Sequence, residues 1–466
     1  MMSIAVVAAA VIAFLIVWHF KGGAVATTLA MLAGCSLATV DLVTVGHSGA
    51  LTATATAGVT LVTYHLALLG GLLSMPRLTL RSISPWFLLF LVSVLVLMLG
   101  RGLTSPHVVS GFIQWGSAVL AWGVGGAVAA SSLRDGKPRE RLIAVTIGVI
   151  VGWHGVAVGM QLLGLRAVGS VDAGDVDITR ASGIAGHSGN LGKIMFVLIM
   201  ILLPITRSTD RVARRWAVVT IAVSALLTGL SFSRANMAAV VVLVVLWLLL
   251  GPGISLAKRL LVPVVGIVVA LPILDVLILR NEYDPDGGSR PILMETAWHQ
   301  ISQSLWLGVG PNNYLGVVGQ YDPLAAGGLP VHSAFVLALA ELGLVSAILI
   351  AAPLIGAVVV SLRRLGRRNP ARSYAVALLA SVPGIVLIAS TGWGLLREQY
   401  LVILFFAIGY LLSAQRNAAD AGGAEVKDRP YEEEHDLEPV GPASARGREP
   451  ARRDNSLHRS SRRLRR

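Results

Sequence analysis

Arg234, Arg290 and His332 are the residues in this chain whose types and surroundings could do chemistry, because each stands where an apolar run begins. In "GLSFSRANMAAVVV" Arg234 follows Ser233 in a tight turn between two apolar helices and opens the second. A helix N-terminus presents unpaired N–H groups and a partial positive charge, and a guanidinium there can take phosphate oxygens bidentately. The same position suits an interfacial arginine that snorkels to lipid headgroups. Arg290 precedes Pro291 in "GSRPILMETAWHQ" and has the same two readings. Together the two arginines suggest a polyanion site, with phosphate the natural ligand. His332 follows Pro330 and begins another apolar segment. The helix dipole there disfavours imidazolium and should hold the ring neutral near pH 7, the state a general base needs. An amphipathic anchor at a membrane interface is the other reading of such a histidine. Glu341 lies nine residues on, the opposite face of a helix, so it is expected to bond a neighbouring helix instead of His332.

The elements that must position these residues are membrane spans. Of 466 residues 55% are hydrophobic and 14% charged, and the mean hydropathy is +0.74. Apolar runs near the roughly 20 residues that cross a bilayer recur to about residue 414, which excludes a water-soluble fold. The fold class expected is an all-α polytopic membrane protein of about 12–13 transmembrane helices. Thirteen runs are read: Ile4–Phe20, Ala24–Val45, Ala57–Met75, Pro85–Gly100, His107–Ala130, Leu142–Leu163, Leu191–Thr206, Arg215–Phe232, Ala235–Leu250, Leu260–Leu279, His332–Leu362, Ser373–Thr391 and Tyr400–Ala414. The first has no basic residue before it and no small-residue cleavage pattern after it, so it reads as a span and not a signal peptide. The long eleventh run leaves room for a short helix outside the membrane. Cys35, the single cysteine, excludes a disulfide within the chain and a cysteine metal site.

The net charge of +13 would suggest nucleic acid until it is mapped onto the loops. Residues 416–466 hold 12 of the 38 basic groups; alternate loops split the others 18 to 8. The richer set is cytoplasmic by the positive-inside rule, which puts the N-terminus outside and the C-terminal tail inside. Residues 1–414 therefore form the transmembrane domain, and residues 415–466, charged and rich in Pro and Gly, are expected to be a disordered cytoplasmic tail. Its Arg-rich end could touch anionic lipid.

Two outer loops, 164–190 and 280–331, are too long for simple connectors. The first ends in "RASGIAGHSGNLGKIM", whose Gly, Ser and Asn let backbone approach a ligand. In the second, Leu293, Ala297, Ile301 and Leu305 recur at helical spacing after Pro291, which predicts a helix on the outer surface. "DAGDVD" and "DPDGG" supply no complete calcium loop, and no Gly-rich nucleotide loop or catalytic elbow is present. Asp41 and Asp275, within or near spans, could mark a transport path.

Four pieces in order, "RASGIAGHSGNLG", "GLSFSRANMA", "RPILMETAWHQISQSLWLGVGPNNY" and "VHSAFVLALAELGLVS", give the chain its resemblance to the O-antigen ligase and polymerase family of membrane glycosyltransferases. The resemblance is strong over about residues 180–350. Ser333 stands where the family has asparagine, and Ala-Asn follows Ser233 and Arg234 where glycine is common; Ser333 can still cap a helix. The resemblance implies transfer of a glycan from a polyisoprenyl pyrophosphate to an acceptor hydroxyl of a glycan, lipid or protein. It implies an active site on the extracytoplasmic face of the cytoplasmic membrane, with no metal, no cofactor and no nucleic acid. It puts Arg234 and Arg290 on the pyrophosphate with Arg280 and Arg180 in reserve, His332 on the acceptor proton, and Asn190, Ser233 and Glu341 in support. A secondary transporter or lipid-linked glycan flippase is the alternative; a transporter predicts broken helices in two matching halves.

Overall fold

The computed structural model describes residues 2–37, 41–45, 59–74, 84–134, 140–165, 181–253, 255, 257, 259, 288–366 and 371–427. The helices are α1 Met2–Lys21, α2 Gly23–Ser36, α3 Thr63–Ser74, α4 Pro85–Leu99, α5 Val108–Arg134, α6 Glu140–Leu162, α7 Ser188–Ile205, α8 Arg211–Leu230 and α9 Arg234–Leu250. In the second long loop lie α10 Arg290–Gln303 and two short helices, α11 Tyr314–Val318 and α12 Pro323–Ala326. After it come α13 Ala334–Arg364, α14 Ala371–Thr391 and α15 Glu398–Lys427. Seven of these, α5 to α8 and α13 to α15, contain stretches long and apolar enough to cross a membrane, and shorter apolar helices lie in α1 to α4 and α9. Residues 415–427, expected to begin the disordered tail, instead continue α15 as helix. The rest of that tail, the expected tenth run Leu260–Leu279, the aspartates of the two acidic stretches and Asp275 lie outside the described residues.

Two expected spans are shortened. Ala24–Val45 is helical only to Ser36, and the run expected over Ala57–Met75 becomes helix at Thr63. Between them β1 Asp41–Val45 pairs antiparallel with β2 Val59–Val62, Thr44 facing Thr60. Both strands are rich in Val and Thr, whose branched side chains favour extended backbone over helix. Asp41 therefore sits in a small hairpin, not within a span.

Helix α7 is the hub. Leu191 and Ile194 to Leu203 are all buried, as expected of a helix apolar all round and enclosed by α6, α8, α9 and α14. Helix α15 is the second buried element: Phe405 stacks on Phe90 at 4.6 Å, and Gly125 and Gly409 let α5 and α15 touch backbone to backbone. The outer helices instead expose large apolar side chains, among them Val92, Leu95, Val149, Val219, Leu226, Ile348 and Ile355. That girdle needs hydrocarbon around it.

Lateral bonds sort the helix ends into two sets. At one end Asp210 caps α8, accepting from Val212 at 2.8 Å, and pairs with Arg141 at 2.7 Å. The Arg141 bond and the capping N–H groups hold its carboxyl at about 2. Glu140 there takes Ser208 and Tyr374, and Gln415 takes Ser361. At the other end His65 pairs with Glu398, Gln399 donates to the Cys35 carbonyl at 2.7 Å, Gln114 donates to Leu396, and Asn236 donates to Gly189. The long loop belongs to this second end.

Candidate functional site

The loop is a small folded unit set against the start of α13. Leu293, Ala297 and Ile301 bury the inner face of α10, whereas Leu305 falls beyond the helix, which ends at Gln303. One turn apart on α10, Thr296 and Gln300 bond Asp322 (2.9 Å) and Tyr321 (2.9 Å), so α10 carries the α11–α12 turn. Asp322 also caps α12 through Ala325 at 2.8 Å. On the bundle side, Asn312 donates to Ser110 at 3.2 Å, and Gly111 leaves room for Pro311.

Helix α13 is broken. Gly343 has φ 70° and ψ 172°, a conformation that favours glycine, so a short helix Ala334–Leu342 precedes a longer rod. The long eleventh run is thus two helices, as its length allowed. The backbone groups freed by the break are taken up by the stretch Leu305–Gly310: Val309 and Gly310 donate to the carbonyls of Ala340 (3.0 Å) and Glu341 (2.8 Å), while Leu344 donates to Leu305 (2.8 Å) and Val345 to Trp306 (3.4 Å). Two helical bonds are thus replaced by four bonds to the loop. Gly308 and Gly310 both have positive φ, and a Cβ at 308 would overlap the Glu341 carbonyl. The glycines of "LGVGPNN" and "ELGLVS" are two halves of one joint.

His332 sits just before this short helix, two residues ahead of its first turn. Ser333 caps the helix, accepting from Val336 at 3.4 Å, the capacity anticipated for it. The imidazole is half-buried, and its Nδ1 is shielded from solvent with no hydrogen-bond partner. Burial first, and the Arg290 charge second, hold His332 below its ordinary 6.5, the Pro330 carbonyl pulling the other way. Arg290, exposed at the first residue of α10, and His332 are therefore brought into one electrostatic neighbourhood. Glu341 is buried; it accepts from the backbone N–H of Tyr314 at 3.4 Å. Its partner is thus the first residue of α11, a neighbouring helix as expected, and that helix lies in the loop.

Arg234 is exposed at the first residue of α9, as the sequence suggested, and Ser233 accepts from Asn236 at 2.8 Å. Asn236 also donates to the Gly189 carbonyl at 2.8 Å, which ties the start of α9 to the start of α7. Asn190 stands there, accepting from Lys193 at 3.3 Å. Arg180 and Arg280 lie outside the described residues. Among the described residues no three His, Cys, Asp or Glu gather as a metal group.

A feature that sequence reading passed over lies beside Asn190. The Lys193 ammonium stands 5.2 Å from the centre of the Tyr400 ring, and Arg397 lies over Trp393 at 5.8 Å. A lone lysine inside the apolar run "NLGKIMFVLIM" was the available signal.

Residues 216–351 match the family model described as O-antigen ligase. The matched stretch contains Arg234, Arg290, His332, Glu341 and both halves of the glycine joint. A comparison with curated proteins found no match.

Proposed function

From the match of residues 216–351 to the O-antigen ligase family model, we propose that the chain transfers a glycan from a polyisoprenyl pyrophosphate carrier to an acceptor hydroxyl. The observation that carries the reading is His332: a half-buried imidazole of lowered basicity, beside the Arg290 charge, at the head of the broken α13. A neutral imidazole near pH 7 is competent to take the proton of an attacking hydroxyl. The acceptor oxygen bonds to the anomeric carbon as the bond from that carbon to the pyrophosphate oxygen breaks. The electron pair leaves with the pyrophosphate, and the acceptor proton goes to His332. Arg234 and Arg290 bind the pyrophosphate and stabilise its developing charge, with Arg180 and Arg280 in reserve. Asn190 and Ser233 support the starts of α7 and α9, and Glu341 holds the loop in place. The loop end faces the extracytoplasmic side of the cytoplasmic membrane, opposite the arginine-rich connections.

One observation bears on the transporter reading. Helix α13 is broken, yet the backbone groups freed at Gly343 are bonded to the loop.

The test is purified protein with a lipid-pyrophosphate-linked glycan and candidate acceptors, His332→Ala alongside. Transfer is expected, and a large loss in the mutant. A ladder of product lengths marks a polymerase, and a single coupled product marks a ligase. Undiminished transfer by the mutant overturns the base assignment; no transfer, with substrate flux into liposomes, favours the transporter.

A further inference from the structure

We infer that Lys193 and Arg397 form a phosphate-binding centre at the loop end of the bundle, separate in the chain from Arg234 and Arg290. Lys193 is one residue into the second turn of α7, held by the Asn190 side-chain oxygen at 3.3 Å and by the Tyr400 ring face. Arg397 ends the 3-10 turn Trp393–Leu396 and precedes α15. A Cβ at Gly394 would come within 2.5 Å of the Lys193 nitrogen, so this turn lies directly on the ammonium.

Charge balance is what points to a ligand. Among the described residues, no carboxylate lies within ion-pair distance of either cation, and Glu398, the next acid along the chain, is taken by His65. Both side chains are partly accessible. Two cations gathered in a low-dielectric setting without an acid repel each other unless an anion completes the site. An ammonium beside a guanidinium suits the several oxygens of a phosphate or pyrophosphate.

The centre is coupled to the His332 region. Trp393 and Leu396 pack on the apolar cluster that includes Ala297, Val331, Leu337 and Ala340, so one short turn touches both the Lys193 ammonium and the foot of the short helix after His332. Two sources could supply the phosphate: the pyrophosphate of the donor, which rests on the function proposed above, or a phospholipid headgroup, which does not.

The experiment uses the full chain in nanodiscs. Binding of a polyprenyl pyrophosphate and retention of phosphatidylglycerol are measured for the wild type, Lys193→Gln, Arg397→Gln and the charge-keeping Lys193→Arg. The expected result is a 10- to 100-fold loss of polyprenyl pyrophosphate affinity, about what one charge-assisted bond contributes, in each glutamine variant, with Lys193→Arg largely restored. Loss of phosphatidylglycerol with polyprenyl pyrophosphate affinity unchanged also supports the centre and identifies a headgroup as its occupant. Unchanged binding of both overturns it. A wild type that neither transfers glycan nor binds the pyrophosphate lipid sinks the proposed function, while the phosphatidylglycerol arm still reads the centre. A second measurement needs no variant: Lys193 is one of five lysines, so its acylation can be followed by peptide mapping. Inorganic pyrophosphate or phosphatidylglycerol should slow that acylation several-fold; no protection by either overturns the proposal.

Discussion

His332 and Arg290 are 42 positions apart and fall within electrostatic reach because α10 folds back against the head of α13. Their proximity has a signed consequence. Arg290 lowers the basicity of His332, so removing that charge raises it toward the ordinary 6.5. In a pH profile of transfer, the wild-type acid limb should fall off below 6.5, where the imidazole protonates and can no longer accept a proton. In Arg290→Gln that limb should move to higher pH, besides any loss of donor affinity; an unmoved limb would argue against electrostatic coupling between them. His332→Ala should lower kcat by about 10²- to 10⁴-fold, the usual worth of a general base, with little change in thermal stability. The sequence exposed these residues because each stands at or just before a helix start. It could not reveal the Nδ1 left without a partner, which depends on how the loop covers the ring.

At the scale of elements, the joint between Leu305–Gly310 and Gly343 makes the sharpest prediction. Gly308→Ala puts a Cβ into the Glu341 carbonyl at a residue with φ 66°, and Gly343→Ala forces a β-carbon onto a residue with φ 70°. Each should cost about 1–3 kcal/mol, read as a lowered melting temperature in detergent together with faster proteolysis of the loop. Glu341→Ala removes the buried acceptor of the Tyr314 N–H and should cost about 1–3 kcal/mol by the same assay. The helices on either side were legible from apolar runs and charges. The break was not, since a glycine within a long apolar run is no stop signal by itself and the need of Gly343 for positive φ arises from a partner 35 residues earlier. The same blindness to pairing hid the β1–β2 hairpin, whose apolar strands read as span until each met the other.

For the whole molecule, sidedness follows from charge counts in loops, a signal that sequence alone carries, whereas which helices are buried had to come from packing. Helix α7 and outward-facing α8 are both apolar runs, yet one is enclosed and the other exposes Val219 and Leu226. Placing the loop end outside predicts that, in a Cys35→Ser background, Gln320→Cys is labelled in intact cells by a membrane-impermeant maleimide while Arg211→Cys is labelled only after lysis. Both positions are exposed, so the reverse pattern would invert every proposed role. The glycine joint also bears on traffic. Lifting the loop off α13 would strip four backbone bonds at once and leave eight backbone groups to find other partners. The loop is therefore a poor candidate for a hinged lid. A substrate tethered to a lipid would have to arrive sideways, sliding between helices from the bilayer while the roof stays seated.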